Sequence, residues 1–286
     1  MTNDAYTLTL PEVQTSCMVF ASPHSGRNYS HAFLRRTVLD DLQIRSSEDA
    51  FVDRLVAPAA KYGSPFLAAN MPRAFLDLNR ACDELDPAVV QGVRRPGHNP
   101  RIASGLGVIP RVVANGRAIY AGKLSMEEAS ARIEQYWHPY HKCLGTLMEE
   151  TNRTFGRAVL VDFHSMPHEA VQSVALVGFA RPEVVLGDRF GAAAGGDIVD
   201  RIETIFLEAG LRVSRNAPFA GAYITQVYGR PSRGHHAIQI EIDRALYMNE
   251  QFVRPNGNFD SFCQLMEKVV AEISDLGRQE LPLAAE

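Results

Sequence analysis

Ala158-Val159-Leu160-Val161-Asp162-Phe163-His164-Ser165-Met166-Pro167 is the stretch on which the reading of this chain turns. It opens with four apolar residues, two of them valine, which suits a strand covered on both faces. Asp162, His164 and Ser165 then arrive with no spacer, so a buried run ends in polar chemistry. In open α/β sheets, ligands and reacting groups gather just beyond the carboxyl ends of strands. A histidine there, two residues after an aspartate, has the chemistry of a metal ligand or a general base. Alone, the pair could equally finish a strand by bonding to nearby backbone.

Two further strand ends carry similar cargo. Cys17 to Ser22 reads as a buried strand that runs into Pro23-His24-Ser25-Gly26, where the glycine allows a tight turn or a close backbone approach. His236-Ala237-Ile238-Gln239-Ile240-Glu241-Ile242 alternates, with three isoleucines on one face. A glutamate inside such a strand is unfavourable unless it is paired, metal-bound or functional. Ser64 to Ala69 reads as a short strand leading into Arg73-Ala74-Phe75-Leu76-Asp77-Leu78-Asn79-Arg80. Arginine's planar fork suits carboxylates, so this run is a candidate anion clamp, or an Asp–Arg pair that fixes a loop.

Ser46-Ser47-Glu48-Asp49 has the look of a helix start capped by Ser46. Phe51, Val52, Leu55, Val56 and Ala59 would form its apolar face and Gly63 would end it, placing Asp49 and Asp53 on one side. Ser125 opens a second helix running to about Phe155, disturbed at Pro139. His138 and His141 on it read as surface or structural residues. Val174 to Phe179 reads as another buried strand, Asp197 to Ala209 as a helix, Leu211 to Ser214 as a strand and residues 257–277 as a closing helix. Residues 1–15 look like a lead-in. Periodicity fades from Asp83 to Gly122, where Gly105 to Val113 suggests part of a hairpin. That stretch reads as an excursion over the active site, since long connections in compact domains are usually functional. Strands alternating with helices predict an α/β fold, and 286 residues could hold one large domain or two small ones.

Composition narrows the function. At 286 residues, 46% hydrophobic and 22% charged, the chain is an ordinary soluble type. A net charge of −4 provides no basic field for nucleic acid or an anionic membrane. Cys17, Cys82, Cys143 and Cys263 lack CxxC spacing, against both a thiolate zinc site and a disulfide framework. The start, Met1-Thr2-Asn3-Asp4, has no basic and apolar leader, and no apolar run reaches the roughly 20 residues of a membrane span. A protein of the reducing cytoplasm is expected.

The ordered set Pro23-His24-Ser25-Gly26, Glu48-Asp49, Arg73 to Arg80, Asp162 to Ser165, Gly221 to Thr225 and His236 to Glu241 resembles the N-formylglutamate amidohydrolase family. The likeness spans about residues 17 to 250. That family is related in fold to zinc carboxypeptidases and aspartoacylases, which implies a three-layer α/β/α fold with a mixed, mostly parallel sheet, as one hydrolase domain over residues 1–286. Those enzymes hold zinc with two histidines and a carboxylate, use a glutamate as general base, and bind the substrate carboxylate with an Asn-Arg pair like Asn79-Arg80. One departure is clear: the carboxypeptidase pattern has a glutamate three residues after the first histidine, where this chain has Arg27. The family's acidic position aligns with Asp49, in preference to Asp53 or Glu48.

The resemblance thus implies one Zn2+ held by His24, Asp49 and His164, with Glu241 as base and Asp162 as a partner of His164. Arg73, Asn79, Arg80 and Tyr223 would bind substrate, and His236 would stabilise the oxyanion or support Glu241. The implied reaction is hydrolysis of N-formyl-L-glutamate to formate and L-glutamate, a step of histidine degradation. Other N-acyl amino acids or short peptides are alternative substrates, and a metal-dead carboxylate-binding protein is a rival of another class. A serine hydrolase built on Ser25 or Ser165 is disfavoured by the lack of a GxSxG elbow.

Overall fold

The computed structural model describes residues 3–94, 99–171 and 181–278. The strands of its main sheet are β1 (Tyr6–Thr9), β2 (Met18–Ser22), β3 (Phe66–Ala69), β4 (Ala158–Met166), β5 (Val184–Gly187), β6 (Val213–Arg215) and β7 (His235–Asp243). They form one sheet in the order β1-β3-β2-β4-β7-β5-β6. β3, β2, β4 and β7 run parallel; β1 and β5 are antiparallel to their neighbours β3 and β7. The sheet is therefore mixed and mostly parallel. The helices are α1 (His31–Leu34), α2 (Val52–Val56), α3 (Pro100–Ala103), α4 (Met126–Arg132), α5 (His138–Phe155), α6 (Gly196–Glu208), α7 (Tyr223–Tyr228) and α8 (Phe259–Leu276).

The two-residue period of a strand sorts the core into two layers. Phe20, Val161, Phe163, Ile238, Ile240 and Ile242 pack with Leu55 of α2, Ile202 of α6 and Met266 of α8. The other parity sends Val19, Leu160 and Ala237 toward Tyr140 and Leu144 of α5 and Ile224 of α7. Helices thus cover both faces, as the expected three-layer α/β/α fold requires. On β4 and β7 the second parity turns polar toward the carboxyl end. Asp162 pairs in register with Gln239, and His164 with Glu241. All four side chains are buried.

Several elements depart from expectation. The lead-in contributes β1, an edge strand. The helix expected from Ser46 starts only at Val52, because its would-be first turn is committed elsewhere. Asp49 N–H donates to His24 O (3.0 Å), and Ser46 Oγ donates to Gln43 O. Phe51 turns the chain with φ 67°, a left-handed conformation that is sparsely populated for a bulky residue. Asp49 and Asp53 consequently do not share a helical side. Of residues 105–113 only the last three form the arm of a short hairpin: Val112 bridges antiparallel to Ala118, flanked by Val113 N–H to Arg117 O (3.0 Å) and Ile119 N–H to Arg111 O (2.9 Å). Val174 to Phe179 lies outside the described residues. α4, a π-helical turn Ile133–Trp137 and α5 run on without a break, and Pro139 follows that turn, whose widened hydrogen bonding accommodates the missing N–H.

His138 is exposed beside Glu134, whereas His141 is buried, its Nε2 2.9 Å from Leu78 O and its Nδ1 3.1 Å from Tyr228 Oη. Burial pushes the His141 pKa down to about 4, from an ordinary 6.5. The folded state therefore binds its proton more weakly than the unfolded state does. The stabilisation is complete above pH 6.5 and is lost as pH falls to about 4, on the order of 3 kcal/mol in all. The difference in unfolding free energy between wild type and His141→Asn is expected to narrow by that amount from pH 7 to pH 4. Denaturant titrations at the two pH values measure it, and a pH-independent difference contradicts it.

Candidate active site

The carboxyl ends of β2 and β4 and the turn before α2 bring His24, Asp49 and His164 together. All three are buried, with ligand atoms within 4.8 Å of one another. His164 Nδ1 lies 3.1 Å from His24 Nδ1 and 3.1 Å from Asp49 Oδ2; His24 Nδ1 is 3.5 Å from the same oxygen. The far nitrogens are tied off: His24 Nε2 sits 2.8 Å from Asp77 Oδ1, and His164 Nε2 2.9 Å from Asp162 Oδ2. A carboxylate only accepts, so each Nε2 carries the proton and each Nδ1 offers a lone pair. Two lone pairs and an anionic oxygen then face one another, an arrangement that needs a cation or an extra proton at its centre. Burial would depress the His164 pKa, yet Asp162 and Asp49 hold it well above its usual value. Burial likewise opposes ionisation of Asp49, but the two histidines keep it well below the usual carboxylate range. The same field that draws a proton to this point suits a metal ion. A carboxylate behind each imidazole is the usual brace of metal-ligating histidines.

The remaining partners are equally specific. Arg244 donates to Asp49 Oδ1 (3.0 Å) and to Ser165 Oγ (3.1 Å). Arg73 Nε donates to Asp77 Oδ2 (3.0 Å), and Asn79 N–H to Asp77 Oδ1 (2.8 Å). Asn79 Nδ2 donates to Gln239 Oε1 (3.2 Å), and Gln239 Nε2 to Glu241 Oε1 (2.9 Å). Burial pushes the Glu241 pKa up to about 7. A cavity of about 660 Å3 opens onto these groups, lined by His24, Arg73, Asn79, Arg80, His164 and Glu241 among others. Leu106, Pro110 and Val113 also line it, so the stretch expected to pass over the site does so.

Most residues singled out in the sequence meet here. Asp53 does not: it pairs with Arg27 (2.9 Å) nearer the surface, and Glu48 is held by Arg45 and Tyr29. His236 does not reach the site either. It lies at the amino end of β7, opposite Val159, and accepts a hydrogen bond from Gly195 N–H (3.1 Å). Four strand residues lie between it and Glu241, which puts the two about 16 Å apart along an extended chain. Tyr223 is displaced too. Its ring packs against Trp137 and His141, and it is the next residue, Ile224, whose N–H donates to Asn79 Oδ1 (2.8 Å). Arg73 serves as the counter-ion of Asp77, which itself braces His24. Arg244 and Gln239 emerge as site residues that the sequence did not single out. Arg244 follows β7 directly, and Gln239 shares the polar face of Glu241.

A buried carboxylate poised near neutrality, beside a braced His–Asp–His cluster and an arginine-lined cavity, is the equipment of a hydrolase for an anionic substrate. The profile described as N-formylglutamate amidohydrolase matches residues 16–248. The chain belongs to the N-formylglutamate amidohydrolase family, and it is an amidohydrolase. It is 27% identical over 241 residues to an N-formylglutamate deformylase of Pseudomonas aeruginosa, covering 82% of this chain and 83% of that one. To the Pseudomonas putida N-formylglutamate deformylase it is 28% identical over 240 residues, 82% of each. The crystal structure of an N-formylglutamate amidohydrolase from Ralstonia eutropha superposes with a TM-score of 0.89 at 32% identity, covering 96% of this chain and 99% of that one.

Removing Arg244 leaves Asp49 Oδ1 without its charged donor while His24 and His164 still face Oδ2, so the loss is that of one buried charge-assisted hydrogen bond, about 1.5–3 kcal/mol. Arg244→Met is expected to lower the unfolding free energy by about that much in metal-free protein. A loss below about 1 kcal/mol in a denaturant titration contradicts the pairing.

Proposed function

We propose that this protein hydrolyses the amide bond of an N-acyl amino acid, with N-formyl-L-glutamate as substrate and formate and L-glutamate as products. Glu241 carries the proposal: a buried carboxylate that lines the cavity, held by Gln239 and paired in register with His164 on the neighbouring strand. Membership of the family and the names of the Pseudomonas relatives support the substrate.

His24, Asp49 and His164 would hold one divalent ion, for which zinc suits the two-nitrogen, one-oxygen donor set. Bound there, the ion supplies a Lewis acid that polarises a carbonyl and lowers the pKa of a water. Asp77 and Asp162 keep each Nε2 protonated, so both Nδ1 atoms stay available as donors to the ion. Glu241 accepts the proton of the attacking water and returns it to the departing amine. Its basicity near neutrality suits both transfers. Gln239 holds Glu241 Oε1, which fixes the carboxyl group and leaves Oε2 for the proton. Asn79 and Arg80 face the cavity as binding groups for the substrate carboxylate, which positions the amide. Ser25 Oγ bonds Ser22 Oγ, and Ser165 Oγ accepts from Arg244; neither is bonded to a histidine among the described residues, against a serine nucleophile. The four cysteines are free, in keeping with a reducing cytoplasm. Among the described residues no helix is long and apolar enough to cross a membrane.

Formate release from N-formyl-L-glutamate tests the reaction, and Glu241→Gln tests its base. The variant keeps the shape and the Gln239 contact but cannot take a proton. It is expected to stay folded while kcat falls about 10²- to 10⁴-fold with little change in KM. A folded Glu241→Gln protein with near wild-type kcat rules out the general-base role.

A further inference from the structure

Among the described residues four arginines line the cavity, and two are matched by acids: Arg73 pairs with Asp77 and Arg244 with Asp49. Two are not. Buried Arg80 donates to backbone carbonyls alone, Nε to Leu106 O (2.9 Å) and Nη1 to Asn79 O (2.6 Å). The half-buried Arg101 guanidinium has no hydrogen bond or ion pair among the described residues. Both arginines line the cavity.

They belong to one wall. Leu106 N–H donates to Arg101 O (2.8 Å), and Leu106 O accepts from Arg80 Nε. Burial lowers the Arg80 pKa, and the positive charges of Arg73 and Arg101 push the same way against Asp77 and Glu84. Like charges without a counter-ion are unfavourable in a partly buried site, and an anion between them relieves both. The rest of the site is already matched: Asp49, Asp77, Asp162 and Glu241 face Arg73, Arg244 and the proposed divalent ion. Arg80 and Arg101 are left over, a charge surplus that fits a dianion.

We propose that Arg101 is a second carboxylate-binding residue of this site: with Arg80 on the carboxylate already assigned to it, Arg101 binds the one at the far end of the substrate. Arg80 takes the α-carboxylate, next to the scissile amide. The Asn79 to which it is bonded reaches Gln239, and its Nδ2 lies 3.5 Å from His164 Nε2. Arg101, the more exposed of the two, takes the distal side-chain carboxylate and is the specificity-determining residue. The substrate class deepens the proposed deformylase reading and rests on it, but the second carboxylate contact itself can be read by binding alone.

The test compares N-formylglutamate with its near-isostere N-formylglutamine, and glutarate with butyrate, in wild type, Arg101→Gln and Arg101→Lys. A charge-assisted contact predicts that Arg101→Gln loses about 10- to 100-fold in kcat/KM for N-formylglutamate, chiefly through KM. Turnover of N-formylglutamine is expected to fall far less than that of N-formylglutamate, and an unchanged melting temperature shows that the variant folds. Arg101→Lys, a point charge without the fork, is expected to restore part of the preference. Calorimetry should show glutarate binding to wild type more tightly than butyrate, with the difference lost in Arg101→Gln. If neither formyl compound is hydrolysed but this glutarate pattern holds, the second carboxylate contact stands and the assigned reaction fails. A glutamate-over-glutamine preference and a glutarate affinity unchanged in Arg101→Gln overturn the proposal.

Discussion

Two imidazoles whose Nδ1 atoms face each other 3.1 Å apart set the terms for the rest of this structure. They are held so because Asp77 and Asp162 each grip the opposite nitrogen. Neither aspartate could do this from a flexible surface. Asp162 is on the central strand, two residues before the histidine it braces. Asp77 is fixed by Arg73 and by the backbone of Asn79. Asp49 completes the cluster, with its second oxygen fastened to Arg244. Each charge has a named partner, and the surplus of lone pairs at the centre is what a divalent ion would satisfy.

The sheet delivers this arrangement through alternation. Every second residue of β4 and β7 is committed to the hydrophobic layer beneath α2, α6 and α8. The intervening positions are apolar toward the amino ends and polar toward the carboxyl ends. A one-residue slip of register would bury the isoleucines' neighbours in that layer and carry His164 and Glu241 away from the cavity. The β2 loop is locked as well, because the Gly26 backbone lies against Met71 O with no room for a Cβ. Asn28 N–H then donates to Asn70 O (2.9 Å). The active site is rigid for the same reasons that the core is well packed.

Much of this was legible in the sequence, because strand periodicity and polar strand ends are local signals. The α/β class, the central strand and the two histidines at strand ends follow from short runs of residues. What was not legible depends on contacts between distant segments. Asp49 was expected on a helix, but its N–H is taken by His24 O, so the helix begins after it. His236 sits on the same strand as Glu241 and looked like part of one motif, yet a strand extends its residues apart, and His236 ends at the opposite edge. Tyr223 had a place in the family pattern, while the useful atom proved to be the backbone N–H that follows it. Arg244 and Gln239 gave no motif; only the register and the turn after β7 assign them.

Titration of chelator-treated protein with Zn2+ tests the central claim most directly. The account predicts one ion bound per chain in wild type, with binding abolished in His164→Ala. Asp162→Asn, which removes the brace and keeps the ligands, should weaken binding about 10- to 100-fold. No uptake by folded wild-type protein, or wild-type affinity in folded His164→Ala, would contradict it.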